Sequence, residues 1–214
     1  NAGSSTLHGS GYEGYYNTAI GYNALRFNTT GYSNTVLGYG SLQSNTTGYN
    51  NVAIGVQALI NNTVGSSNVA IGESALMGNI TGSGNVAIGA GALRSNITGG
   101  GNIAIGDGSL LSNTTGGGNI AIGQWALLGN TTGSSNIAIG WQAMKDNTTG
   151  TFNYAFGHQA AMSLTTGSGN VAFGIYAMGS NSTGESNASF GVDSMRYLAS
   201  GSYNVGVGRE ALTG

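Results

Sequence analysis

Asparagine stands at every seventeenth residue from Asn17 to Asn204, twelve times without one insertion or deletion. Glycine follows four places later each time, from Gly21 to Gly208, and a second glycine column runs from Gly14 to Gly201 at the same spacing. The unit reads approximately N-[V/I]-A-[I/F]-G-x-x-A-L-x-x-N-x-T-G-x-x, and positions are counted below from its Asn as position 1. A repeat that never slips implies that every unit makes the same circuit and stacks on the last, because one extra residue would displace every column above it.

The circuit is built from strands and turns. Segments such as Val86-Ala87-Ile88 and Ala92-Leu93 are too short and too interrupted by glycine to propagate a helix. Side chains alternate across a strand, so Val86 and Ile88 share one face and Ala87 the other. Both faces are then apolar, and the expectation is a β-solenoid with Val, Ile and Leu stacked inside the coil. The small Ala column (Ala53, Ala70, Ala87, Ala104, Ala121, Ala138) then faces outward and packs against neighbouring copies. At about 4.8 Å per rung, twelve rungs make a rod of roughly 58 Å. Three to five inward apolar side chains per turn is a meagre core for a lone chain, which points to self-association about a threefold or twofold axis. The organisation expected is a lead-in or partial rung over 1–16 and a continuous 17-residue-repeat solenoid over 17–214, its last repeat truncated. A start at Asn1 without Met and an end partway into a repeat fit a processed product, a fragment or part of a longer polypeptide.

Composition supports the stacked reading. There are 41 glycines, no proline, no cysteine, and only five basic and seven acidic side chains. Disorder usually rests on charge or proline, collagen needs glycine at every third residue, and a disulfide scaffold needs cysteine. Repeated charges on stacked rungs would repel one another, and repeated prolines would remove the donors that each rung offers the next.

The Asn columns carry two readings. Asn85, Asn102 and Asn119, with Gly89, Gly106 and Gly123, form structural ladders in which like amides bond from rung to rung. A second column at position 12 also reads as such a ladder, capping the turn, and most of it falls in N-x-[S/T] sequons. The sequons are Asn28, Asn45, Asn61, Asn79, Asn96, Asn113, Asn130, Asn147, Asn181 and Asn187, so this side is a candidate row of N-linked glycans. The Thr-Thr-Gly runs beside them resemble the flat threonine arrays of ice-binding solenoids.

Catalysis finds little support. His8 and His158 are the two histidines, and the acids are scattered singly, so neither metal-ligand spacing nor a nucleophile triad is present in the sequence. The glycines form no phosphate-binding loop, and five basic residues offer no nucleic-acid surface. No catalytic residue, metal ligand or cofactor is expected, and no membrane insertion, the apolar runs being four or five residues long. Partner contact falls to the variable positions after the first glycine, where aromatic residues gather: Tyr22, Tyr39, Trp125, Trp141 and Tyr176. Rings beside amides suit either sugar faces or a neighbouring subunit.

The strings Asn85-Val86-Ala87-Ile88-Gly89, Asn102-Ile103-Ala104-Ile105-Gly106 and Asn119-Ile120-Ala121-Ile122-Gly123 lead into Ala-Leu or Ser-Leu and then Asn-x-Thr-Gly. They resemble repeats of bacteriophage tail fibres and are similar to the head repeats of trimeric autotransporter adhesins, with a longer period than the latter. The resemblance covers residues 17–212. It implies a homotrimeric fibre of stacked β-coils at a virion surface or a cell-surface appendage, serving as a shaft, or as an adhesin that touches surface glycans. No enzyme activity is implied.

Overall fold

The computed structural model describes residues 14–213. Twelve three-residue strands, from β1 (Thr18–Ile20) to β12 (Val205–Val207), lie in one sheet in chain order. Every neighbouring pair is parallel and offset by 17 residues, so that Val86, Ala87 and Ile88 oppose Ile103, Ala104 and Ile105. The chain is an all-β parallel solenoid with a 17-residue turn. Residues 14–16 close a preceding circuit, the Ser33 N–H donating to the Tyr15 carbonyl at 2.9 Å. The remainder of the expected lead-in, with His8, Tyr12 and Glu13, lies outside the described residues.

The interior differs from the sequence expectation. The strand alanines, not the branched residues, face the inside. Ala53, Ala70, Ala87, Ala104, Ala121 and Ala138 are wholly buried, whereas Ile88, Ile105 and Ile122 are each 36% exposed on the outer surface. The reason lies in the phase of the strand. Positions 1 and 3 share a face, so once the Asn at position 1 turns inward, Ala follows it and positions 2 and 4 must point out. The typical rung therefore encloses Asn, Ala, a second Ala or Ser, Leu or Met, and a second Asn, as Asn85, Ala87, Ala92, Leu93 and Asn96 illustrate, all at 0% exposure.

Turning so tightly requires unusual backbone. Past Gly89 (φ 131°) come Gly91 (φ 63°) and Leu93 (φ 54°), each the third residue of a tight turn. The first turn closes by Ala92 N–H to the Gly89 carbonyl and the second by Arg94 N–H to the Gly91 carbonyl, both at 3.2 Å. A left-handed residue at the third place is the signature of a type II turn, normally given to glycine. Leucine nonetheless holds that conformation at Leu42, Leu59, Leu76, Leu93, Leu110 and Leu127. The conformation costs on the order of 1 kcal/mol at each. The Leu93 N–H bond to the Ser109 carbonyl at 2.9 Å and complete burial of its side chain offset that cost.

The two glycine columns serve different ends. At Gly106 (φ 129°) an added Cβ would sit 2.7 Å from the carbonyl carbon of Gly123 on the next rung. The second column, from Gly31 to Gly184, has no positive φ; there a Cβ would collide with the next glycine carbonyl and with the Asn amides, as at Gly99. Gly91 is different again: its Cβ would meet Leu111 Cδ1 at 3.6 Å, an ordinary contact. We expect Gly106→Ala to cost roughly 3 kcal/mol or more and Gly91→Asn less than about 1 kcal/mol, read as shifts in urea-unfolding midpoints. Equal costs at the two sites would contradict this account of the corners.

Candidate functional site

Two columns of buried amides run the length of the coil and fix where everything else lies. In the first, Asn102 donates its backbone N–H to Asn85 Oδ1 at 3.0 Å, and its Nδ2 to the same oxygen at 3.1 Å and to the Gly116 carbonyl at 2.9 Å. Asn119 repeats the pattern on Asn102. In the second column Asn96 Nδ2 donates to Asn79 Oδ1 at 2.8 Å and to the Gly99 carbonyl at 2.9 Å. Each amide thus satisfies a neighbour and a corner carbonyl at once, which is what lets so polar an interior be buried.

Most of the sequons lie in these columns. Asn45, Asn79, Asn96, Asn113, Asn130, Asn147 and Asn181 are 0% exposed and Asn187 is 1% exposed. A sugar on any of these nitrogens would have to replace the ladder, since nitrogen and glycan cannot occupy the same buried space. Asn28, in the first rung, is half-buried, and Asn61, at the outward position 11, is exposed.

Two rungs lack the Asn of the second column: that of Asn187, where Leu198 ends it, and that of Asn153, which breaks it internally. Leu164 stands where Asn is expected, and the broken ladder leaves two buried atoms without a partner, Asn147 Oδ1 below and Asn181 Nδ2 above. The same rung carries Ala161 where the others have Leu or Met, so the large side chain has moved from position 9 to position 12. Both Ala161 and Leu164 are buried.

The threonines divide by column. At position 13 the hydroxyl is spent on the next rung, as Thr131 Oγ1 donates to the Thr148 carbonyl at 3.1 Å. At position 14 the threonines from Thr47 to Thr183, Thr98, Thr115, Thr132, Thr149 and Thr166 among them, form a single exposed file, which Val64 interrupts between Thr47 and Thr81.

The aromatic residues form two groups. Near the first rungs Tyr22 stacks on Tyr39 with ring centroids 5.6 Å apart, and Tyr32 lies parallel to Tyr49 at 4.9 Å. Further along, Trp125, Trp141, His158 and Tyr176 make a continuous ridge across four rungs, with successive centroids 6.2, 4.7 and 5.4 Å apart. Trp141 Nε1 donates to Gln124 Oε1 at 3.3 Å, which orients the ring. The Arg196 guanidinium caps the ridge 4.3 Å above the Tyr176 ring and is bonded to Asp193 Oδ1 at 2.6 Å. That hydrogen bond holds the Arg196 pKa above its ordinary value.

Of the five residues singled out by sequence, the structure joins Trp125, Trp141 and Tyr176 and leaves Tyr22 and Tyr39 in a separate cluster. The linking His158 stands at the same corner position in the sequence, whereas the capping Arg196 and Asp193 carried no motif. Column comparison does not single out Arg196, whose position 10 also holds Arg26, Arg94 and Lys145; its partner Asp193 and the Tyr176 ring one rung away are what set it apart. Among the described residues no three of His, Cys, Asp and Glu lie together as a metal site, and no helix is long and apolar enough to cross a membrane. Compared with protein-family models, curated protein sequences and solved structures, the chain has no match.

The broken rung yields a test of the ladder. In the double variant Ala161→Leu with Leu164→Asn, position 9 is refilled and both orphaned atoms gain partners. We expect a gain of about 1–3 kcal/mol over the parent chain by chemical denaturation. Leu164→Asn alone, which leaves a void beside Ala161, should fall below the double variant. A double variant no more stable than the parent would show that the unpaired atoms carry no penalty.

Proposed function

We propose that the chain is a non-catalytic structural shaft, a segment of an extracellular or virion fibre, assembled from three copies through its outward strand face. The observation that carries this reading is the apolar stripe at positions 2 and 4. At position 4 it runs the full sheet, from Ile20 (58% exposed) through Ile88 and Ile122 to Phe173 (55%) and Val207 (71%), and position 2 joins it from Val52 on, the first two rungs carrying Thr18 and Thr35 there. Eleven rung intervals of about 4.8 Å give a strip roughly 53 Å long, and two side chains abreast make it several hundred Å² in area. A monomeric soluble rod has no use for so long an apolar face, and burying one aliphatic side chain is worth about 1.5–3 kcal/mol.

A second copy of the same chain matches that face rung for rung, because its spacing is identical. Threefold closure lets every copy bury its whole strip near one axis and leaves no strip uncovered. The interface expected from sequence was the alanine face. With alanine inside, the same self-association falls to Val and Ile. The rigid, uniformly bonded stack supports a load-bearing role, and nothing in the reading requires chemistry at a side chain.

Analytical ultracentrifugation with small-angle scattering is the test. The expected particle has three times the 21.3 kDa chain mass and an elongated shape. Ile105→Asp should lower the mass toward that of one chain, while Thr115→Asp, on the exposed threonine file, should leave it unchanged. A compact monomer, or an Ile105→Asp rod that stays assembled, would refute the shaft reading.

A further inference from the structure

Position 10 of the unit carries a long side chain in most rungs, among them Arg26, Gln43, Met77, Arg94 and Lys145. At Gly179 it carries none. The gap opens a cavity of about 180 Å³ against the end of the aromatic ridge, with Tyr176, Tyr197 and Met162 as apolar walls and Gln159, Ser180 and Arg196 as polar ones. Tyr197 is 63% exposed, so one ring face is available. The notch is separated from the strand face by the glycine corner and the tight turns that follow it.

We propose that this notch is a binding subsite for one neutral hexopyranose unit of a saccharide whose further units lie along the ridge toward Trp141 and Trp125. The chemistry is that of a ring with an apolar C–H face and a rim of hydroxyls. The exposed Tyr197 ring receives the face, Tyr176 being covered by the Arg196 guanidinium and serving only as wall, and the Gln159 amide, the Ser180 hydroxyl and the outer guanidinium N–H groups of Arg196 meet the rim. Neutrality follows from the ion pair: Asp193 already compensates Arg196 at 2.6 Å, so a ligand carboxylate finds no free cation there. The volume suits one sugar ring and is too small for a folded partner, and the ridge continues for four rungs, roughly 14 Å between its first and last rings. Trp141 and His158 stack on each other, so toward solvent they offer adjoining units an apolar run of ring edges beside the Gln124 amide.

The chain's two tryptophans both lie on the ridge, so their emission reports the site. The experiment titrates the assembled protein with methyl glycosides of glucose, galactose, mannose and N-acetylglucosamine and with their trisaccharides, following tryptophan fluorescence and saturation-transfer NMR. The expected result is a saturable response to at least one neutral trisaccharide. Gly179→Arg restores the side chain found at this position in other rungs, and Gly179 has no positive φ; its Cβ would meet the Tyr176 carbonyl at 3.2 Å, so the variant should fold with a slightly lowered melting temperature yet bind at least tenfold more weakly. No saturable response across the panel, binding unaltered by Gly179→Arg, or stronger binding of uronic or sialic acids than of neutral sugars would each overturn the proposal. The particle mass is measured separately, so failure here leaves the shaft reading standing.

Discussion

The hydrogen bond from each Asn backbone N–H to the Oδ1 of the Asn one rung below is the constraint on which the rest of the molecule depends. It fixes the inward direction of position 1, and through strand alternation it determines which residues are core and which are surface. It also explains the glycines. The side-chain amides reach corner carbonyls only if nothing stands between them, and the second glycine column removes the Cβ that would intervene. Burial of so many amides is tolerable because each one completes the hydrogen bonding of two others; a low-dielectric interior strengthens such a column when it is complete and penalises it when it is not.

Completeness explains the rung of Asn153. There Leu164 interrupts one column, and Ala161 yields the volume that Leu164 takes. The exchange keeps the core filled but leaves Asn147 and Asn181 each with an unpaired atom. It falls where the outward face also changes, from Ile and Val to Tyr154, Phe156, Phe173 and Phe190, and where the aromatic ridge lies. Composition inside, on the strand face and along the ridge all depart from the consensus within the same few rungs. That part of the rod is specialised, whereas the stretch from Asn51 to Asn136 is nearly uniform.

Much of this could be read from residues alone. The period gave the stacking, the short glycine-bounded apolar segments gave strands, and the Asn columns gave amide ladders. Which strand face is interior could not be read, because alternation groups Val86 with Ile88 and Ala87 with Asn85 but does not say which group turns inward. A transfer-energy argument chooses the branched side chains, while the backbone's unpaired donors and acceptors choose the amides, and the latter prevail in so narrow a coil. Left-handed leucines were equally hidden, since propensity assigns that conformation to glycine or asparagine. The ridge was largely visible: its tryptophans, His158 and Tyr176 share the corner after the first glycine, whereas Arg196, at position 10 of the following rung, joined them only once neighbouring rungs were superposed.

Every rung bonds only to the rung before and the rung after, and all of them have the same height. The length of such a rod is therefore a counted quantity. A duplication of 17 codons lengthens it by one step of about 4.8 Å and disturbs nothing else, while an insertion that is not a multiple of 17 breaks both columns at once. A gene built this way works as a ruler, able to change the reach of the object it encodes in whole graduations without redesigning any part of it.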